Sequence, residues 1–262
     1  MQISMLFIGD IVGKYGRKAF KALIEQTKAS VGADFVVVNG ENAADGFGIT
    51  PKIYREIEKY ADVITMGNHT WDRDDILPEI DNMVKLIRPI NFCCNVPGVG
   101  FKVVDIKGAK VLVANAIGRI FMNPSENPFF RLKMLAEEFN DIKIKIVDFH
   151  AEATSEKEAL GWYLDGVYSA VVGTHTHVQT ADERILPKGC AYISDAGMTG
   201  CHDGVLGFSY EEPVERFLTG LNNRLKVCKT NLKMQGVVVR FDTQTGKATE
   251  IFRVSVDFND QN

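Results

Sequence analysis

The chain has 262 residues, of which 45% are hydrophobic and 24% charged, a composition that excludes disordered, collagen-like and disulfide-dense proteins. At roughly 100–200 residues per domain the length allows one large domain or two small ones. No linker, repeat or charge run marks a boundary, so residues 1–262 are expected to form one domain. A net charge of −4 leaves no overall electrostatic footprint for duplex DNA, although it is compatible with a local basic patch.

The five cysteines, Cys93, Cys94, Cys190, Cys201 and Cys228, are odd in number and lack C-x-x-C spacing. They are expected to be reduced, mostly buried thiols. Met1 to Gly9 is a short apolar run with no basic region before it, and no stretch approaches the roughly 18 apolar residues of a membrane span. A cytoplasmic location without membrane contact is the expectation.

In chain order, Ile3–Ile8, Phe35–Val38 and Val63–Met66 are short β-rich runs that each lead into a glycine and polar residues. Between them, Arg17–Ala29 has helical spacing of Ala19, Phe20, Leu23 and Ile24, and Pro51 after Thr50 suits a first helical turn. This alternation predicts an α/β fold with a largely parallel sheet. Phe101–Ile106 and Val111–Ala116 flank Lys107-Gly108-Ala109-Lys110 as a hairpin, and a helix is predicted over Phe130–Phe139. Strands Ile144–Phe149 and Ala170–Val172 follow, with a helix beginning near Thr154 between them, and Gly236–Phe241 and Thr249–Val256 form a second hairpin that fits a second sheet. Two sheets packed face to face, with helices outside, are the predicted architecture.

In open α/β sheets ligands bind beyond the carboxyl ends of the strands. Those ends carry Asp10, then Glu41 and Asn42, then Asn68 and His69, then His150, then His175 and His177. A lone histidine at a strand end is an ordinary core or surface residue, and Asn is common in turns. Five strand ends of the same chemistry are harder to explain that way. A mixed His, carboxylate and amide set suits first-row divalent ions, and seven candidate ligands are too many for one tetrahedral ion. A two-metal site that activates water for displacement at phosphorus is the economical reading. His175-Thr176-His177 is expected to direct both rings to one face by strand alternation. Gly9-Asp10-Ile11-Val12-Gly13-Lys14 is one residue short of a phosphate-binding loop, and a His-x-His pair this late in the chain disfavours an amidohydrolase barrel.

With Gly40-Glu41-Asn42, Gly67-Asn68-His69, Asp148-Phe149-His150 and Gly173-Thr174-His175-Thr176-His177, the sequence resembles the calcineurin-like metallophosphoesterases, and most closely their YmdB-like branch. The resemblance runs from the first strand to about Phe217 and includes Ser194-Asp195-Ala196-Gly197-Met198-Thr199-Gly200 and Ala153-Thr154-Ser155-Glu156-Lys157. Val12 stands where the broad family has the His of Asp-x-His, and Glu41 where it has Asp, both in the manner of the YmdB-like branch. The resemblance implies a two-sheet β-sandwich flanked by helices in four layers, α/β/β/α. It also implies two divalent ions, iron or manganese. Asp10, Glu41, Asn42 and His177 are implied to hold one ion, and Glu41, Asn68, His150 and His175 the other.

The resemblance further implies hydrolysis of small cyclic nucleotides, 2′,3′-cyclic or 3′,5′-cyclic, by a metal-bridging hydroxide, with His69 as the proton donor. A nucleotide- or partner-binding regulator on the same scaffold and a phosphomonoesterase or nucleotidase are the alternatives. Arg119, Phe121 and Phe129 lie in a loop that either overhangs the site and stacks on a base or packs against the next helix. Gly197–Gly207, glycine-rich and containing His202, reads as another rim loop, with His202 an exposed loop residue. Homo-oligomer formation is left open by the sequence.

Overall fold

The computed structural model describes residues 1–93 and 95–259. One sheet has eight strands, β1 (Gln2–Ile8), β2 (Asp10–Ile11), β3 (Phe35–Asn39), β4 (Val63–Thr65), β5 (Leu86–Ile87), β12 (Met198–Cys201), β13 (Leu232–Asp242) and β14 (Ala248–Asp257). The other has six, β6 (Phe101–Ile106), β7 (Ala109–Ile117), β8 (Ile144–His150), β9 (Ala170–Thr174), β10 (Arg184–Ile185) and β11 (Ala191–Ile193). The first sheet runs β2-β12-β13-β1-β3-β4-β5 with β14 also on β13, and the second runs β10-β11-β9-β8-β7-β6. Parallel strands β1, β3, β4 and β5 occupy one half of the first sheet, and β7, β8, β9 and β11 the heart of the second.

Alternation along the strands builds three apolar layers. On β1, Leu6 and Ile8 pack with Phe20 and Ile24 of helix α1 (Gly13–Val31), while Met5 and Phe7 pack with Val113, Ile146 and Val172 of the opposite sheet. On the far side of that sheet, Leu112, Val147 and Phe149 meet Leu132 and Leu160. Helix α2 (Pro51–Ile57) joins α1 on the first outer face, through Ile53 and Ile57. Helices α3 (Pro128–Glu138) and α4 (Thr154–Leu164) cover the second. The order is helix, sheet, sheet, helix, as the sequence predicted. Strands buried on both faces explain why β1, β3 and β8 read as continuous apolar runs.

Local chemistry sets the boundaries. Thr50 accepts the Ile53 N–H at 3.2 Å ahead of Pro51, and Gly32 closes α1 in the left-handed region. The β6–β7 hairpin turns on Lys107 and Gly108, both with positive φ, a tighter turn than the four residues read from the sequence.

Several expectations need correction. The C-terminal hairpin, expected in the second sheet, belongs to the first, because β13 pairs along the whole of β1. Gly197–Gly207, read as a glycine-rich rim loop, opens with strand β12, whose edge pairs with β2 and β13. Helix α5 (Glu211–Thr219) and the short strands β2, β5, β10 and β11 were not anticipated. Cys201 and Cys228 form a disulfide rather than free thiols, because the turn back into β13 brings their Cα atoms to 5.5 Å. Cys190 is free and buried and Cys93 is free and exposed, while Cys94 lies outside the described residues.

Candidate metal centre

Loops following parallel strands of both sheets meet at one end of the sandwich. Asp10 is on β2, Glu41 and Asn42 follow β3, Asn68 and His69 follow β4, His150 ends β8, and His175 and His177 follow β9. Packing here is close enough that only glycine fits at position 67, where a Cβ would collide with the Glu41 carboxylate and the His150 ring.

The backbone route to the two late histidines differs from the one predicted. β9 ends at Thr174, and both His175 (φ 102°) and His177 (φ 64°) adopt positive φ. Both rings reach the cluster by this strained turn instead of by strand alternation. Asp195 holds it in place, accepting the Thr176 N–H at 2.9 Å and its hydroxyl at 2.7 Å, and pairs in turn with buried Lys157 at 3.0 Å.

Two convergent groups of electron-pair donors result. Asp10 Oδ1, Glu41 Oε1 and His177 Nε2 all lie 3.1–3.2 Å from the Asn42 amide nitrogen. A side-chain NH2 has two hydrogens to offer these three acceptors. His150 Nε2 is 2.8 Å from Glu41 Oε1, 3.0 Å from Asn68 Oδ1 and 2.9 Å from His175 Nδ1. The ligand atoms of Glu41, His150 and His175 all lie within 4.8 Å of one another. Glu41 belongs to both groups.

Partners outside the cluster select the nitrogen each histidine turns inward. Thr174 donates its hydroxyl to Asp148 Oδ1 at 2.7 Å, so it accepts from His150 Nδ1 at 2.9 Å and leaves Nε2 facing Glu41. The His175 Nε2–H donates to Glu152 at 3.2 Å, leaving Nδ1 inward. The His177 Nδ1–H donates to the Leu206 carbonyl at 3.1 Å, leaving Nε2 inward. Three inward ring nitrogens, two carboxylates and two amides form a donor set suited to divalent metal ions.

The electrostatics agree. Burial opposes the charge on Asp10, but hydrogen bonding and charge from His177, then His150, hold its carboxyl well below the usual range. Burial likewise opposes ionisation of Glu41, and the His150 charge overcomes it. Burial also disfavours the His150 imidazolium, yet Glu41 and Asp10 raise it to about 9. Burial and the charge of His150 push His175 down to about 3, so its ring is neutral. Below the cluster, burial pushes Asp148 up to about 7 against the donors Thr174 and Thr65. With Asn39 Nδ2 at 3.1 Å, Asp148 links the two sheets directly beneath the site.

His69 lies on the wall of a pocket of about 270 Å³ over the cluster. Its backbone N–H donates to Glu41 Oε2 at 3.1 Å and its Nδ1 meets Asp72 at 2.7 Å. Phe47 packs edge-on to the His69 ring, with centroids 5.0 Å apart, and stacks on Phe208 at 5.8 Å. Arg119 and Phe129 line a separate hollow, where Glu156 accepts the Arg119 N–H, and Phe121 is 89% exposed. None of the three lines the pocket over the cluster. His202 stands outside it as well.

Sequence reasoning passed over Asp72, Glu152, Thr174, Asp148 and the Lys157–Asp195 pair as supports. A local signal existed only for Asp72, three residues after His69. Phe47 and Phe208 were also missed, since neither belongs to a strand end.

The helix-sheet-sheet-helix sandwich and the strand-end cluster of His, carboxylate and amide groups define a metallophosphoesterase, a hydrolase of phosphoric ester bonds. The YmdB-like protein family model matches residues 6–254. The chain belongs to that family. It is 49% identical over 255 residues to a Bacillus subtilis 2′,3′-cyclic-nucleotide 2′-phosphodiesterase, with 97% of each chain covered. A solved Mycoplasma pneumoniae phosphatase superposes with a TM-score of 0.94 at 36% identity, covering 100% of this chain and 95% of that one. A solved hypothetical protein from Thermus thermophilus superposes with a TM-score of 0.92 at 35% identity, covering 98% and 100%. Among the described residues no helix is long and apolar enough to cross a membrane.

Proposed function

We propose that the protein is a two-metal phosphodiesterase that opens small cyclic nucleotides, 2′,3′-cyclic and 3′,5′-cyclic monophosphates, with iron or manganese as resident ions. The observation that carries this reading is the pair of convergent donor groups that share Glu41. Asp10, Glu41, Asn42 and His177 would hold one ion, and Glu41, Asn68, His150 and His175 the other. When bound, such a pair supplies an activated water and neutralises charge on the phosphoryl oxygens. The name of the Bacillus subtilis relative supports scission of the bond from phosphorus to O2′, leaving a 3′-phosphate.

The chain's own groups do the rest. Asp72 accepts the His69 Nδ1–H and fixes the ring, so that Nε2 carries the proton passed to the departing ribose oxygen. Phe47 and Phe208 form the apolar wall against which the nucleoside rests, and the Glu41 contact to the His69 backbone keeps the donor in register with the cluster.

The test is bound-metal analysis of anaerobically purified protein with turnover of 2′,3′-cAMP, 3′,5′-cAMP and p-nitrophenyl phosphate, in parallel with His69→Ala. Near two ions per chain and cyclic-nucleotide hydrolysis that falls by about 10²–10⁴ in the variant are expected, with metal retained. Turnover of the monoester alone makes the protein a phosphomonoesterase. Nucleotide binding without turnover after metal is restored makes it a regulator.

A further inference from the structure

A second concavity, of about 700 Å³, adjoins the pocket over the cluster and shares the walls Phe47 and Leu225 with it. Its lining is strongly basic in a chain of net charge −4. Lys14, Arg73, Arg216, Arg224 and Lys226 face a single acid, Asp45. Two of these cations are engaged elsewhere. Arg73 donates to the backbone carbonyls of Ala44 and Phe47, at 2.9 Å for the latter, and Lys226 pairs with Glu212 at 2.5 Å. Lys14, Arg216 and Arg224 are exposed and have no acidic partner among the described residues. Tyr15 presents a half-buried ring beside them, with Lys14 Nζ 6.0 Å from its centroid.

Unpaired cations beside an aromatic face form the combination that binds single-stranded nucleic acid, with phosphates on the cations and a base on the ring. The pocket over the cluster, at about 270 Å³, is smaller than the roughly 300–1,000 Å³ of sites that enclose a ligand of drug size. That volume has room for a terminal phosphate and ribose beside the Phe47 wall, and a chain joined to them would leave past Phe47 and Leu225 toward the basic groove. A 2′,3′-cyclic phosphate is the end left on an RNA strand when its own 2′-hydroxyl displaces the next nucleotide.

We propose that this groove takes the nucleotides preceding such an end, so that the substrate class includes short single-stranded RNA terminating in a 2′,3′-cyclic phosphate. This rests on the phosphodiesterase reading for the chemical step but not for the binding. In the step itself water adds across the ring, the bond from phosphorus to O2′ breaks, and O2′ takes up a proton. The RNA then carries a 3′-phosphate.

The test compares 2′,3′-cAMP with a tetranucleotide ending in a 2′,3′-cyclic phosphate, in the wild type and in Lys14→Ala/Arg216→Ala/Arg224→Ala. At low salt the tetranucleotide should have a kcat/KM about tenfold higher, and contact with three cations should give a log–log salt slope of about −2. The triple variant should lose the preference while its 2′,3′-cAMP turnover stays within about twofold, which also shows that it is folded. A preference unchanged in the variant, or absent in the wild type, overturns the proposal. If neither substrate turns over, the phosphodiesterase reading fails. The groove is then judged by fluorescence anisotropy of a labelled tetranucleotide 3′-phosphate. Salt-sensitive binding lost in the variant supports it, while no binding, or preferred binding of polyglutamate, overturns it.

Discussion

His150 Nε2 and Glu41 Oε1 lie 2.8 Å apart with neither side chain exposed to solvent, so in the metal-free protein a buried imidazolium and carboxylate neutralise each other. Burial alone would discharge the ring, but Glu41 raises His150 to about 9. At neutral pH a proton therefore occupies the nitrogen that an ion at the proposed site would take. Metal affinity should rise with pH, by about tenfold per unit at most, and level off above about pH 9. Manganese titration of apo-protein across pH 6 to 9, with proton release read in two buffers, checks this. The sign for folding is opposite. A raised histidine value stabilises the apo-protein fully below its unfolded value of about 6.5. The apo-protein should lose that contribution as pH rises through about 9. A pH-independent affinity would show that His150 is not a ligand.

Asp72 contacts His69 Nδ1 at 2.7 Å and has no contact with the metal ligands in the geometry above. Asp72→Asn should lower kcat by about 10–100-fold, the range for a group that orients a functional histidine. Metal content and thermal midpoint should stay close to wild type, because the pair is partly exposed. Loss of metal in this variant would place Asp72 in the structural frame instead.

The Lys157–Asp195 pair is buried, with side chains 2% and 1% exposed. Lys157→Ala leaves the Asp195 carboxylate without its cation, at a cost of about 3–5 kcal/mol. Urea unfolding measures this directly. Because Asp195 also holds Thr176 between His175 and His177, metal affinity should fall with stability. A cost under about 1 kcal/mol would mean that water replaces the lysine.

Gly67→Ala drives a methyl group into Glu41 and His150. Over-packing of this kind costs about 1–3 kcal/mol, borne here by the ligand shared between the two donor groups. Bound metal should fall below two ions per chain and turnover with it, while circular dichroism stays native. Wild-type metal content would show that the 67–69 turn can shift without cost.

Much of the site was legible because each candidate ligand closes an apolar strand run or follows it by one to three residues. Ile8 leads to Asp10, Asn39 to Glu41, and Thr174 to His175, and a strand that ends in a polar turn is a local pattern. The same locality explains the success with β1, β3, β8 and the two hairpins, whose apolar runs and turn residues carry their own signal. The errors fall where pairing is remote. β12 is a strand because β2 and β13 flank it, and its glycine and threonine give no sign of that in isolation. Cys201 and Cys228 are 27 residues apart, and only the return of the chain makes them neighbours.

The amino-acid sequence by itself determined the layer order and the identity of seven candidate ligands, since continuous apolar runs and strand-end chemistry are encoded within a few residues. Only the tertiary structure decided which nitrogen each histidine turns inward. Thr174, Glu152 and Leu206 select those nitrogens by hydrogen bonds, and none of the three is a near neighbour in sequence of the histidine it orients. It also decided that Lys14, Arg216 and Arg224 share one groove. Charges far apart along a chain combine into one field only after folding has closed the distance between them.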